Sequence, residues 1–242
     1  MIKRSESDDE ARRGAFATMV AHELRTPLTA AYGALEMMSR AAATSSAADA
    51  ARNAVLIDLA HRNTQRLLRI VEDCLDLEAA SDGRLSLVPG SILASDLSAV
   101  GIAGAAMTRE QTGIEIVSRF DAELRVAGDV TRLGRALTHL VQNAVTFAPR
   151  GTVVTVTTEL LHQVGTVRFT VEDLGAGIAP DRLATLFQRF DVRHTAGRHR
   201  VGGMGMGLAF VKAVAEAHGG SAGAESLPGR TAVWFEVPAI RE

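Results

Sequence analysis

The apolar residues of this chain follow two different periodicities, and the change between them is the feature that most restricts its fold. In residues 1–80 they recur at spacings of four and three, in two segments separated by the small, polar stretch AATSSAAD (42–49). That spacing is typical of helices that pack side by side in bundles. From residue 113 onward, Val- and Thr-rich runs typical of strands alternate with helical segments. The sequence therefore predicts an α+β protein with a helical part and a separate part built on a sheet.

The two helical segments predict an antiparallel hairpin. The stripe of the first segment consists of Val20, Leu24, Leu28, Ala31, Leu35 and Met38. In the second segment two apolar faces adjoin, so that its stripe is wider than one neighbouring helix can cover. Two hairpins packed as a four-helix bundle would bury both stripes, and we therefore expect a homodimer.

The second part of the chain predicts an α/β sandwich with a mixed sheet. The predicted strands are 113–120, 151–161, 165–173 and 231–238, and the predicted helices are 130–148 and 206–220. A hairpin joins two of these strands, and helices separate the others, which is why the sheet is expected to be mixed. The expected domains are a linker or N-terminal extension (1–14), the hairpin (15–82) and the sheet domain (83–242).

Composition and charge exclude several classes of protein. The formal net charge of −2 gives no electrostatic reason to expect nucleic-acid binding. Cys74 is the only cysteine, which excludes an intrachain disulfide and a cysteine-based metal cage. No apolar run has the length of a membrane span and the N-terminus is polar, so the cytoplasm is the expected compartment.

Three short stretches of the second part predict a nucleotide site. VEDLGAGI (171–178) places glycines after a strand, VGGMGMGL (201–208) places them before a helix, and LVQNAVTF (140–147) places an amide on an apolar helix. Taken singly, such glycines usually mark a turn, and such an Asn is usually solvated. Together they supply backbone N–H groups for phosphates, an amide oxygen for Mg²⁺ and a carboxylate for the amine of a base. Neither glycine stretch has the P-loop or dinucleotide-binding pattern, so the combination predicts a Mg–ATP pocket of another kind.

With AHELRTPL (21–28), these stretches resemble the catalytic core of a sensor histidine kinase of bacterial two-component signalling. FATMVAHELRTPL resembles the H-box, LVQNAVTF the N-box, EDLGAGI the G1 box, LFQRF the F-box and GGMGMGL the G2 box, in the family's order. The resemblance runs from Phe16 to Pro238. It implies a dimerisation hairpin followed by the Bergerat-type ATPase fold, which gyrase and mismatch-repair ATPases share.

The resemblance assigns roles to the first motif. His22 would attack the γ-phosphate of ATP, and Glu23 would orient the ring and take its proton. Thr26 matches the position that orients water when such kinases dephosphorylate their partner. Pro27 permits a bend in the helix just after the histidine.

The resemblance also assigns the nucleotide ligands. Asn143 would hold Mg²⁺, and Asp173 would bind the adenine amine. Glycines would let the backbone approach the nucleotide, Arg193 would contact the γ-phosphate, and Phe187 and Phe190 would pack the root of a mobile lid (191–203). The glycines are Gly175 and Gly177 at the adenine, and Gly203, Gly205 and Gly207 at the lid and phosphates.

Two residues depart from the family pattern. His139 stands where Asn or Asp is usual, one turn before the amide of Asn143, and Thr146 stands where a Lys or Arg is common. An imidazole is a poorer ligand for a hard cation, and Thr146 carries no charge for a phosphate. We therefore expect weaker ATP binding or slower turnover with an intact fold.

The expected function is autophosphorylation of His22 from Mg–ATP and transfer of the phosphoryl group to an aspartate of a response regulator. One alternative is a phosphotransfer or scaffold protein with weak or lost ATP turnover. A phosphatase-dominant protein is a second, and an ATPase of the gyrase type, which leaves AHELRTPL unexplained, is a third. No sensor domain is visible, so either the chain is a fragment of a longer sensor or another protein supplies its input.

Overall fold

A computed structural model describes residues 2–41, 47–120, 123–188 and 206–240. The chain divides into two compact units, Met1–Leu75 and Asp76–Glu242. The first unit is helical and the second is built on a mixed sheet, as the sequence predicts.

Helix α1 (Ile2–Ala41) and helix α2 (Ala47–Ser81) form the hairpin. Their contact is built from small residues: Ala34 and Ala60 are buried with Leu56, and Met38 and Leu59 pack against this cluster. The two alanines allow the helices to approach closely at this point, and the larger apolar side chains pack beside them. Helix α1 begins at Ile2 and so includes most of the segment expected to be a linker or extension.

One hairpin leaves much of the apolar stripe uncovered. Within the stripe of α1, Ala31 is buried, whereas Leu28 and Leu35 are more than half exposed. Helix α2 repeats this pattern, with Ile70 buried and Leu68 exposed. Among the side chains that the structure describes, the hairpin also exposes Tyr32, Met37, Val55, Ile57, Val71 and Leu75.

The second unit contains a five-stranded sheet and a two-stranded sheet. Its helices are α3 (Ala94–Gly104), α4 (Ala106–Thr112), α5 (Val130–Phe147), α6 (Pro180–Leu183) and α7 (Gly207–Ala217). Its strands are β1 (Ser91–Leu93), β2 (Glu115–Phe120), β3 (Arg125–Ala127), β4 (Val153–Leu161), β5 (Thr166–Asp173), β6 (Ser221–Leu227) and β7 (Arg230–Pro238). The large sheet has the order β2-β4-β5-β7-β6, with β2 parallel to β4 and the other pairs antiparallel. The prediction of a mixed sheet is therefore confirmed, and β1 pairs with β3 apart from it.

Helices cover one face of the large sheet. Strand β5 alternates buried and half-buried residues along its whole length, which is the pattern of a sheet with one covered face. On the covered face Phe169 and Phe235 stack with ring centres 5.0 Å apart, and Leu137 and Leu140 of α5 are buried in the same unit. The core thereby fixes α5, which carries Asn143, against the strand that ends at Asp173.

The sequence predicted the elements with clear periodicity and missed those without it. Helices α5 and α7 and strands β2, β4, β5 and β7 lie where they were predicted. Strand β6 was missed because SAGAESL has no Val, Ile or Thr. Its Gly223 packs on the ring of Trp234, since a Cβ there would lie 2.4 Å from the indole. The short strands β1 and β3 and the helices α3, α4 and α6 were also missed.

Candidate active site

The motif AHELRTPL lies on α1, where its histidine is exposed. Within the described part of the chain, the His22 ring makes no hydrogen bond. The hydroxyl of Thr26, one turn later, donates to the His22 carbonyl over 3.5 Å. Pro27 is buried inside the helix and has no N–H for the carbonyl of Glu23, as expected for a proline in this position. His22 is therefore open to an incoming group.

Glu23 points to the second helix of the hairpin. Its Oε2 lies 3.5 Å from Nη2 of Arg66 on α2, and its side chain is 22% exposed. Adjacent residues of a helix point in different directions, so a carboxylate at position 23 and a ring at position 22 do not face each other unless one of them rotates.

Asp173 ends β5 as a buried carboxylate that is 5% exposed. Burial raises the pKa of its carboxyl above the ordinary 3.8; the N–H of Gly175 opposes this and the charge of Glu172 adds to it. The Gly175 N–H donates to Oδ1 over 2.8 Å. A buried carboxylate with a free oxygen is suited to accept a hydrogen bond from an exocyclic amine.

Backbone on two sides encloses the glycine loop after β5. A Cβ at Gly175 would lie 2.6 Å from Asp173 Oδ1 and 3.2 Å from the Phe147 carbonyl oxygen. Gly177 has φ +83°, and a Cβ there would lie 2.7 Å from the Leu227 carbonyl oxygen. Side chains at positions 175 and 177 would therefore clash with α5 and the β6–β7 turn, which explains why glycine occupies both positions.

Sequence reasoning missed two residues beside Asp173. Thr231 lies directly opposite Asp173 in the β5–β7 register and is 5% exposed. Its hydroxyl is 2.9 Å from that of Ser226, which accepts the N–H of Ile178 over 2.7 Å. The Ser226 hydroxyl thus holds the end of the glycine loop, and the Thr231 hydroxyl holds Ser226. The only local signal for Thr231 is its place at the start of a strand after a glycine turn.

Asn143, His139 and Thr146 lie on α5. Among the described residues the Asn143 amide makes no hydrogen bond, so its oxygen is available to a ligand. The Thr146 hydroxyl donates to the Gln142 carbonyl over 2.6 Å and is thus used within the helix. The His139 ring packs edge-on to Phe210 of α7, with ring centres 5.3 Å apart.

Gly207 begins α7 beside this helix. A Cβ at Gly207 would lie 3.1 Å from Nδ1 of His139, so the glycine allows α7 to begin close to α5. The first N–H groups of a helix attract anions. The structure thus brings Asn143 of α5 and the N-terminus of α7, which begins beside His139 one turn away, into the same part of the unit.

An acidic N-cap fixes the start of α5. Asp129 accepts the N–H of Arg132 over 3.0 Å and the N–H of Val88 over 3.1 Å, and it pairs with the Arg132 guanidinium. Burial by itself would raise the pKa of this carboxyl, but the hydrogen bonds from Arg132 and Val88 and the charge of Arg132 hold it below 3.8. The Asp129 N–H donates to Nε2 of His218 over 2.8 Å, which ties α5 to the end of α7.

Several predicted residues lie outside the described residues: Arg193, Gly203, Gly205, Phe190 and the lid segment 191–203. Phe187, just before that region, is half-buried. In the part of the chain that the structure describes, no group of three or more His, Cys, Asp or Glu side chains is arranged to hold a metal. The single amide oxygen of Asn143 fits Mg²⁺, which commonly keeps several waters and takes few protein ligands.

Two family models match the chain. Residues 12–83 match the His Kinase A (phospho-acceptor) domain. Residues 128–241 match the family described as histidine kinase-, DNA gyrase B-, and HSP90-like ATPase. The first match contains His22, and the second contains Asn143, Asp173 and the glycine loops.

None of the helices within the described ranges combines the length and the hydropathy that a membrane span requires.

Known sensor proteins are similar over nearly the whole chain. Sensor protein IrlS of Burkholderia pseudomallei is 34% identical over 99% of this chain and half of its own length. Sensor histidine kinase WalK of Bacillus subtilis is 29% identical over 98% of this chain and 38% of its own length. The chain thus spans half or less of these two relatives.

Solved structures of histidine kinases are also similar over most of the chain. Full-length ShkA in complex with AMPPNP is 28% identical, with a TM-score of 0.65, over 95% of this chain and 46% of that one. Acinetobacter baumannii histidine kinase AdeS, 21% identical over 90% of this chain and 97% of that one, has the same fold with a TM-score of 0.61. With a phospho-acceptor domain and a histidine-kinase-like ATPase domain in one polypeptide, the chain belongs to the histidine kinase family.

Proposed function

We propose that this protein is an ATP-dependent kinase that phosphorylates its own His22 and passes the phosphoryl group to an aspartate of a response regulator. One observation carries the proposal. The exposed His22 ring, which no described side chain engages, belongs to the same chain as the buried Asp173 carboxylate and its glycine loop. The first is suited to be a phosphoryl acceptor and the second to bind the base of the donor.

In the proposed nucleotide site, the free oxygen of Asp173 accepts a hydrogen bond from the adenine amine, and Gly175 and Gly177 leave room for the base. The Asn143 amide oxygen would hold Mg²⁺, which would offset the negative charge of the nucleotide phosphates. Gly207 lets the N-terminus of α7 face the phosphates. Arg193, Gly203 and Gly205 remain predicted phosphate ligands.

The transfer needs one nucleophile and one proton acceptor. A ring nitrogen of His22 gives its electron pair to the γ-phosphorus as the bond from that phosphorus to the bridging oxygen breaks, and ADP leaves with that bond's electrons. The ring becomes cationic, and its second nitrogen gives a proton to the Glu23 carboxylate or to water. With Glu23 held toward α2, as in this structure, the proton would reach its carboxylate through one intervening water.

We propose two partners. A second copy of the chain would cover the exposed apolar residues of the hairpin, such as Leu28, Leu35 and Leu68, in a four-helix bundle. A response-regulator receiver domain would dock beside His22 and offer its aspartate. In a separate phosphatase reaction, Thr26 would orient a water that attacks the phosphoryl group on the regulator and releases inorganic phosphate.

Incubation of the purified chain with Mg²⁺ and γ-labelled ATP tests the proposal. We expect an acid-labile, base-stable label that His22→Ala abolishes. His61→Ala is the matched control, since His61 is an exposed histidine on the other helix of the hairpin. A label that survives in His22→Ala would refute the assignment.

A second candidate, a phosphotransfer protein with lost ATP turnover, is favoured by one observation. Thr146 has no charge to offer a phosphate, and its hydroxyl is already bonded to the helix backbone. Titration with ATP separates the two functions. Absence of both label and nucleotide binding would leave the phosphotransfer function.

A further inference from the structure

Arg66 and Glu23 form an ion pair between the two helices of the hairpin. Nη2 of Arg66 lies 3.5 Å from Oε2 of Glu23, and the two side chains are 52% and 22% exposed. Glu23 directly follows His22, whose ring is exposed. The packing of the hairpin therefore places a guanidinium next to the carboxylate that adjoins the proposed phosphoryl acceptor.

This pair comes from the tertiary structure and not from helix spacing. Arg66 has no acidic residue three or four positions away on its own helix, and Glu23 has no basic residue at those spacings. Arg62, one turn before Arg66, instead pairs with Asp58 on its own helix. The two neighbouring arginines therefore have different partners, and of the two it is Arg66 that pairs with Glu23.

Stability does not explain this arrangement. An ion pair between partly exposed side chains contributes little to folding, because water and salt screen it. A guanidinium beside Glu23 has a larger effect on the phosphorylation of His22. An anionic phosphoryl group that approaches His22 is repelled by the Glu23 carboxylate, and a fixed positive charge offsets that repulsion.

We propose that Arg66 is a positioning residue for autophosphorylation: it holds the Glu23 carboxylate and offsets its charge while the new bond to the His22 ring forms. This inference rests on the proposed function. The nucleotide ligands proposed above belong to the Asp76–Glu242 unit, whereas Arg66 belongs to Met1–Leu75. The effect of Arg66 therefore falls on turnover and leaves the affinity for ATP unchanged.

The test uses the full chain and labelled ATP. A general base contributes about 10²- to 10⁴-fold to a rate, and we expect the loss of its positioning to cost about tenfold. Arg66→Gln should lower kcat by that factor with KM for ATP unchanged, and Arg66→Lys should recover most of the rate. Arg62→Gln is the matched control and should behave as the unmodified protein. Equal kcat values for Arg66→Gln and Arg62→Gln would overturn the inference.

A double variant shows whether Arg66 acts through Glu23. In a Glu23→Gln background, Arg66→Gln should slow labelling no further. If it costs the same factor with and without Glu23, Arg66 acts independently and the inference is wrong.

Phosphoramidate separates this inference from the proposed function, because it can phosphorylate an imidazole directly and releases ammonia without using the nucleotide site. A chain that is labelled by phosphoramidate but not by ATP would refute the kinase and still test Arg66. We then expect slower labelling of Arg66→Gln than of Arg62→Gln, and equal rates would overturn the inference. Failure of both donors to label His22 would overturn both proposals.

Discussion

Replacement of Gly175 by alanine is expected to weaken nucleotide binding while the fold stays intact. The new methyl group would lie 2.6 Å from Asp173 Oδ1, well inside van der Waals contact, and 3.2 Å from the Phe147 carbonyl oxygen. The Asp173 side chain is the part that can move, because backbone lies on the other side. It would rotate away and lose the hydrogen bond from the Gly175 N–H, and it could no longer accept the proposed hydrogen bond from the adenine amine.

The expected magnitude follows from the bond that is lost. A hydrogen bond to a charged group contributes about 1.5–3 kcal/mol, which corresponds to about 10- to 150-fold in Kd. Gly175 has no left-handed backbone to be strained by alanine, so we expect the unfolding free energy to fall by about 1.5–3 kcal/mol, the value of the bond from its N–H to the Asp173 carboxylate.

Calorimetric titration with ADP measures the effect, and circular dichroism confirms the fold. Ala176→Ser is the control, since Ala176 is exposed in the same loop. A purine nucleotide without the 6-amino group provides a second comparison, because it has no amine to lose and should bind Gly175→Ala as it binds the unmodified chain. Unchanged ADP affinity in Gly175→Ala, or an equal loss for both nucleotides, would refute the reasoning.

Three further predictions concern other parts of the same unit. Asp129→Ala removes the N-cap of α5 and the partner of Arg132, so urea unfolding should show a loss of about 2–4 kcal/mol. Because the folded pKa of Asp129 lies below 3.8, its stabilisation is present above that value and is lost as the pH falls through the folded pKa. Asp173→Asn should raise the melting temperature of the nucleotide-free protein at pH 7 and abolish ADP binding. The raised folded pKa of Asp173 costs stability as the pH rises from 3.8, so the gain should vanish below that pH. Thr146→Lys should tighten ATP binding several-fold, because it would place a cation where the family commonly has one for the phosphates.

Each of these has an outcome that contradicts it. An Asp129→Ala variant as stable as the unmodified chain would show that the N-cap is replaced by water. A lower melting temperature for Asp173→Asn would show that the charged carboxylate stabilises the empty site. Equal ATP affinity for Thr146→Lys would remove the reason to regard position 146 as a weakness.

The sequence by itself predicted the features that depend on near neighbours in the chain. Helical spacing marked α5 and α7, Val and Thr marked β4 and β5, and the motifs marked His22, Asn143 and Asp173. Helical and strand periodicity repeat within a few residues, and a motif is read without folding, so no tertiary information was needed. Strand β6 was missed for the converse reason, since SAGAESL becomes a strand only by pairing with β7.

Only the tertiary structure decided which of these residues meet. The register of β5 with β7 places Thr231 opposite Asp173, and the packing of α7 on α5 brings Gly207 to His139. The packing of the hairpin likewise pairs Glu23 with Arg66, whereas Arg62 pairs with Asp58 on its own helix. Such pairs join residues far apart in the chain, and their contact depends on strand register and helix packing, which local spacing does not specify.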